Sequence, residues 1–295
     1  MLDKNYNGLR GWDLKIGFPK RKNLRCLIWK GHRPNKKDHK QLNMGEITDM
    51  DYQNLLSLVK ERRSSRRFKP DPIPDDMIHK IIEVARWAPS GANSQPWDFI
   101  VVKEKELRQE IVQYYKDFLS LYYKIEHTRV RDPDLKFPST SVPAGKIGYE
   151  DAPVFIILCG DRRTKNAYPL YTQVEIADSL FESSMASTML YMHLAASALG
   201  LGSQWVSGMR MWYVQCMIKD LLKIPADFEV YDMFVVGYPV VKSKPRLVRE
   251  YNEVVHENRY DQNKFRTDSE IKEFISKLRK GRTYSEMGTK RSSPD

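Results

Sequence analysis

The stretch that most constrains this chain is Ala88-Pro89-Ser90-Gly91-Ala92-Asn93-Ser94-Gln95-Pro96-Trp97, which lies between a helical repeat and an apolar extended run. Upstream, Pro74-Asp75-Asp76 supplies a helix start, and Ile78, Ile81, Ile82 and Ala85 recur at helical spacing until Pro89 stops the run. Downstream, Trp97-Asp98-Phe99-Ile100-Val101-Val102 is aromatic and β-branched, which predicts a strand. Pro89 and Pro96 set their own φ, and Ser90, Asn93, Ser94 and Gln95 place donors and acceptors between them. Such a loop is either an ordinary connection or a pre-shaped receptor for a flat polar ligand.

A second signal about one helix upstream favours the receptor. Leu55, Leu56, Leu58 and Val59 give a segment an apolar face, and Glu61-Arg62-Arg63-Ser64-Ser65-Arg66-Arg67-Phe68 then crowds four arginines around two serines. Guanidinium forks and hydroxyls in one turn make a phosphate site. By itself a short basic run is more often a solvated face or a nucleic-acid contact. Together, the two segments resemble the nitroreductase superfamily of FMN-dependent oxidoreductases. Two more segments extend the resemblance. Gly200-Leu201-Gly202-Ser203-Gln204-Trp205-Val206-Ser207-Gly208 follows a long apolar helix, and Val235-Val236-Gly237-Tyr238-Pro239 precedes a run containing Arg246 and Arg249.

The resemblance implies an α+β fold, with a central mostly antiparallel sheet flanked by helices and a domain-intertwined homodimer holding FMN at its interface. It implies that Arg62, Arg63, Ser64 and Arg66 meet the phosphate and ribityl chain, with Arg249 or Arg246 as a second cationic arm. Pro89, Ser90 and Gly91, contributed by the other subunit, would lie along the ring system with Asn93 close by. Gly208 matches the position whose backbone N–H points at the flavin N5, and Ser207 precedes it. Many nitroreductases have Glu at that place. A hydroxyl there is similar to the threonine of the iodotyrosine deiodinase branch, where it shifts the balance from hydride transfer towards one-electron steps. The Glu/Tyr/Lys lid of that branch has no clear counterpart, although Tyr122, Tyr123, Lys136 and Lys146 lie in the matching region.

Composition bounds the remaining possibilities. With 295 residues, 41% of them hydrophobic, the chain can bury a sizeable core. Its net charge of +11 is unevenly spread. Residues 1–45 hold 12 Lys/Arg against 3 Asp/Glu, residues 46–260 hold 28 against 29, and residues 261–295 hold 9 against 6. The expected organisation is therefore a basic N-terminal extension over 1–45, an FMN-binding body over 46–260 and a charged tail over 261–295. The extension is either an arm packed on the body or a second subunit, or a contact for nucleic acid or anionic membrane. A metal site from Cys26, His32 and His39 would lack a fourth ligand.

Cys26, Cys159 and Cys216 form no Cys-x-x-Cys pair, and no apolar h-region follows Met1, so reduced thiols and a cytoplasmic location are expected. The apolar run from Ser183 to Gly202 is too rich in Ser, Thr and His for lipid and suits a helix buried between protein layers. It belongs to a long helix from Thr172 to Leu199, in which His193 is a satisfied core or interface residue. Glu104 to Tyr123 reads as a helix with Leu107, Ile111, Tyr114, Tyr115 and Phe118 on one side, and Lys124 to Glu150 as a long charged loop, which the resemblance implies is a lid over the flavin. Asp151 to Cys159 is a buried strand.

No dinucleotide-binding, Walker or His-Glu-x-x-His motif is present. In a flavoenzyme the flavin supplies the electron chemistry, so no catalytic side chain is assigned. The function implied is an FMN-dependent oxidoreductase that passes electrons from NAD(P)H to a nitroaromatic, quinone or enone by a ping-pong cycle. Two alternatives stand beside it. One is a reductive dehalogenase-like enzyme using Ser207, and the other a flavin-binding protein whose basic ends bind nucleic acid or anionic membrane.

Overall fold

Val154–Asp161 and Phe228–Gly237 are near-continuous apolar runs and lie side by side at the centre of the sheet, buried along almost their whole length. The computed structural model describes residues 49–127, 147–241 and 247–280, without side chains at 122–127 and 279–280. In chain order the elements are α1 (Asp49–Glu61), α2 (Asp75–Arg86), β1 (Trp97–Val102), α3 (Lys105–His127) and β2 (Val154–Asp161). Then follow α4 (Leu170–Glu175), α5 (Ala177–Ala198), β3 (Gly202–Val206), α6 (Trp212–Leu221), β4 (Phe228–Gly237), α7 (Tyr251–Val254) and α8 (Asp268–Lys280). The sheet order is β1-β2-β4-β3, antiparallel throughout, with β1 and β3 at opposite edges.

Strand alternation sorts the core into two layers. Ile156 and Leu158 of β2 and Phe234 and Val236 of β4 face α2 and α5, meeting Ile78, Ile81, Met185, Met189 and Met192. Phe155 and Ile157 with Met233 and Val235 face α3 and α6, meeting Ile111, Phe118, Val214 and Ile218. The α+β architecture with helices on both faces is the one expected. A register shift between Leu158 and Cys159 leaves Tyr231 of β4 as the extra, bulged residue.

Three boundaries differ from expectation. The helix read over Thr172–Leu199 breaks at Ile176, where φ is −137°, so that α4 and α5 are separate. The apolar pattern runs through that position without Pro or Gly, and α4 leaves Leu170, Tyr171 and Val174 exposed. The α3 helix continues to His127, so it takes the first residues assigned to the lid. Residues 128–146, with Lys136 and Lys146, and the side chains of Tyr122 and Tyr123 lie outside the described residues. The strand read from Asp151 starts at Val154, because Ala152 is tied into a turn by its N–H to the Tyr149 carbonyl (3.0 Å) and Pro153 has no N–H to donate. The extension over 1–45, including Cys26, His32 and His39, also falls outside the description.

Ile81 is fully buried between α2 and α5. Ile81→Ala should lower unfolding stability by about 2–5 kcal/mol, read as a drop in the denaturant midpoint at unchanged slope. A cost below about 1 kcal/mol would contradict this packing.

Candidate functional site

Strand β3 organises the arginine-rich segment. As α1 ends, Arg62 donates its N–H to the Leu58 carbonyl at 3.0 Å, and the Arg63 guanidinium turns back onto the carbonyls of Lys60 and, at 2.8 Å, Arg62. The chain then runs extended beside β3. Ser64 forms a parallel bridge with Ser203, and the Ser65 N–H donates to the Ser203 carbonyl at 2.8 Å. Phe68 bridges Pro239, and Lys69 N–H donates to the Tyr238 carbonyl at 2.8 Å. Ser65 packs so tightly on Gly202 that a Cβ there would lie 2.4 Å from its Oγ. A glycine is required at 202 for this close approach. Arg62, Arg63, Ser64 and Arg66 are all half-exposed on a backbone pinned at both ends.

The Pro89–Gln95 loop is pre-shaped in a different way. Ala92, Asn93 and Gln95 all adopt positive φ (48°, 52° and 43°), which non-glycine residues take only under constraint. The constraint is visible. Ser90 Oγ accepts from the Gln95 N–H at 3.0 Å, Ser184 Oγ on α5 accepts from the Gly91 N–H at 3.3 Å, and Ser94 Oγ pairs with the Tyr168 hydroxyl at 3.1 Å. Pro89 and Asn93 are left exposed, and Ser90 and Gly91 half-exposed.

These two segments do not meet within one chain. The loop enters β1 at Trp97, level with Gly160 and Glu229, whereas the arginine segment flanks β3 at Ser203, level with Val236. The two lie beyond opposite sheet edges, about 19 Å apart across four strand spacings, and about 20 Å apart along β4.

At the far end of β3, Ser207 is exposed and Gly208 is buried. A Cβ at Gly208 would fall 2.3 Å from the Tyr115 ring on α3, so this backbone is fixed by an aromatic wall. Arg249 is turned onto α7, where its Nη2 donates to the Glu253 carbonyl at 2.7 Å. It lines a cleft of about 410 Å³ with Phe265, Arg266 and Phe274, away from both core layers. Arg246 lies outside the described residues.

A buried polar chain lies behind β3, of which the sequence anticipated only His193, as a satisfied core residue. His193 of α5 is 3% exposed, and its Nδ1 pairs with Ser203 Oγ at 2.7 Å. Burial, and then the nearby Arg62 charge, push this imidazole down to about 3, so it is neutral at ordinary pH. It stacks on Trp205, whose Nε1–H donates to Asp232 Oδ2 at 2.6 Å. Asp232 is itself 3% exposed, and its other oxygen has no partner among the described residues. Burial pushes its carboxyl up to about 6, against the opposing pull of Trp205 and Arg210. Arg210 donates to Glu182 at 2.9 Å and lies over the Tyr231 ring. An acid within the apolar run Val230-Tyr231-Asp232-Met233 was the available signal. Cys159 faces the other layer with its thiol pushed up to about 12 by burial, which makes it inert.

The Nitroreductase family model matches residues 59–238. The chain belongs to the nitroreductase family. A Methanothermobacter thermautotrophicus protein bearing a provisional NADH dehydrogenase/NAD(P)H nitroreductase name is 27% identical over 195 residues, 66% of this chain and 81% of that one. The iodotyrosine deiodinase of Danio rerio is 26% identical over 213 residues, 71% and 68% of the two chains. Among solved structures, the NADPH:FMN oxidoreductase of Vibrio harveyi complexed with NAD+ superposes with a TM-score of 0.54 at 21% identity, covering 77% of this chain and 85% of that one. An oxidized iodotyrosine deiodinase bound to FMN and 3-iodo-L-tyrosine gives 0.54 at 23%, covering 70% and 100%. These two likenesses establish the nitroreductase fold. Among the described residues, no helix is long and apolar enough to cross a membrane.

The Asp232 carboxyl titrates near 6 in the fold and near 3.8 in the open chain, so the fold holds its proton more tightly. Its contribution to stability therefore falls as pH rises between these values and is flat above them. Asp232→Asn should raise stability at pH 7.5 by on the order of 2–3 kcal/mol, with the gain vanishing below about pH 4. Denaturant midpoints at the two pH values test this, and a gain independent of pH would contradict it.

Proposed function

We propose that the protein is an FMN-dependent oxidoreductase of the nitroreductase family, using NAD(P)H to reduce an electron-poor small organic substrate such as a nitroaromatic, quinone or enone. The observation that carries this reading is the Arg62–Arg66 run, held on β3 by the Ser64–Ser203 bridge and the Ser65 hydrogen bond. When bound, FMN supplies the chemistry by taking electrons from NAD(P)H and passing them to the substrate in separate half-reactions.

The donor set fits this cofactor. Arg62, Arg63 and Arg66 provide forked cationic donors and Ser64 a hydroxyl, the combination suited to a phosphate monoester. Gly208 and Ser207 offer a backbone N–H and a hydroxyl at the end of β3, for the ring edge. The Pro89–Asn93 loop would cover the ring from a second copy of the chain, since its own arginine segment is out of reach. Exposed apolar side chains support that dimer. Met50, Tyr52, Leu55 and Val59 of α1 are exposed, and no residue from Leu247 to Leu278 is buried.

The protein should purify yellow as a homodimer with one FMN per chain, and Arg63→Ala should weaken FMN binding by about 1.5–3 kcal/mol. Light scattering and flavin fluorescence titration check both. A flavin-saturated monomer, or an Arg63→Ala variant of unchanged affinity, would contradict the assignment.

Ser207 favours a second reading, a reductive dehalogenase-like enzyme working in one-electron steps, because an exposed hydroxyl stands beside Gly208 where many relatives by resemblance carry Glu. Anaerobic photoreduction of wild type and Ser207→Ala separates the two readings. A long-wavelength absorbance band present in wild type and lost in the variant supports one-electron chemistry. Absence of the band from both supports hydride transfer.

A further inference from the structure

We propose that Asp232 is a positioning residue for the phosphate seat, acting through Trp205, His193 and Ser203 on the backbone of Ser64 and Ser65. The inference rests on the flavin reading above and adds to it a residue that touches no cofactor.

Two short hydrogen bonds, joined by a ring contact, link buried or half-buried groups. Asp232 Oδ2 accepts from Trp205 Nε1 at 2.6 Å, and the indole stacks on His193 with ring centroids 6.1 Å apart. Phe234, the cross-strand neighbour of Trp205, meets the imidazole edge-on with ring centroids 4.9 Å apart. His193 Nδ1 then pairs with Ser203 Oγ at 2.7 Å, on the residue whose carbonyl holds the Ser65 N–H and whose backbone bridges Ser64. Trp205 also lies two residues before Ser207, which directly follows β3.

The carboxylate is an expensive choice for a spacer. It is buried, it leaves Oδ1 without a partner among the described residues, and it sits in an apolar layer where a neutral residue would pack without desolvating a charge. The groups that face it are Trp205 from β3, Arg210 from the segment after β3, Glu182 from α5 and Tyr231 from its own strand. Arg210 favours the charged form and Glu182 opposes it. An ionised acceptor holds the indole N–H more firmly than a neutral one, because charge-assisted hydrogen bonds are the stronger class. Protonation near pH 6 loosens the first link of the chain.

The test measures FMN dissociation constants by flavin fluorescence for wild type, Asp232→Asn, Ser203→Ala and the double variant, at pH 7.5 and pH 5. Asp232→Asn keeps an acceptor for the indole but not the charge, and the stability argument above expects it to fold. At pH 7.5 it should bind FMN about three- to tenfold more weakly than wild type, and at pH 5 the two should converge. The ligand's own phosphate ionisation is common to both proteins and cancels in their ratio. Because the variant is more stable yet binds more weakly, a purely structural role would move the readouts the other way. Ser203→Ala cuts the same chain further along, so the double variant should lose no more than the worse single one. Equal affinities for wild type and Asp232→Asn at pH 7.5, or losses that add in the double variant, overturn the proposal. Wild type that binds no FMN at either pH overturns the flavin reading and this one with it.

Discussion

Four arginines within six residues repel one another, and a flexible segment carrying them would spread its charges into solvent. The hydrogen bond from Ser65 N–H to the Ser203 carbonyl, with the Ser64–Ser203 bridge beside it, prevents this. Pinning at Phe68–Pro239 fixes the downstream end. The backbone path of the segment is thus set by the fold, which under the proposed function would lower the ordering cost of binding a phosphate. The rest of the architecture serves this contact. Gly202 lets the segment approach, β4 supports β3, and α5 backs the strand with His193.

The strands β1 and β2 and the helix α2 were legible because their residues obey simple periods. The apolar run of β2, the helical spacing of Ile78, Ile81 and Ala85, and the strand Trp97–Val102 each have one consistent reading, whereas most of β4 and all of α6 were not read. The break at Ile176 was not legible, since nothing in the local chemistry of Val174-Glu175-Ile176 forbids a helix. Nor was the extent of α3, whose last turn falls in a charged stretch that reads equally well as loop. In the candidate site, the arginine segment and the proline-bracketed loop announced themselves by composition. Their separation across the sheet did not, because strand order is a long-range property. Asp232 and Trp205 lie 27 positions apart and meet only through the pairing of β3 with β4.

Under the proposed function, strand order also accounts for the exposed apolar surface. A sheet whose two proposed ligand-facing segments sit at diagonal corners cannot enclose a small molecule by itself. The exposed side chains on α1 and α4 would then meet a second copy of the chain, whose own loop would bring the missing half. The strained backbone at Ala92, Asn93 and Gln95 is consistent with this. It is held by Ser184 and Tyr168 in advance of any ligand, so the loop presents a finished shape to another molecule.

The same balance of stability against placement governs the layer between α5 and the sheet. Most of it is methionine and branched aliphatic side chains, which pack without directional demands. Within it, Asp232, Trp205, His193 and Ser203 form a polar file whose desolvation the fold must offset elsewhere. An apolar file of similar volume would leave β3 bonded to β4 but free to slide slightly against α5, because dispersion contacts vary little over small displacements. Hydrogen bonds of 2.6 Å and 2.7 Å do not permit that freedom. A file of this kind trades folding energy for the position of one strand, and that strand is the one on which the arginine segment is mounted.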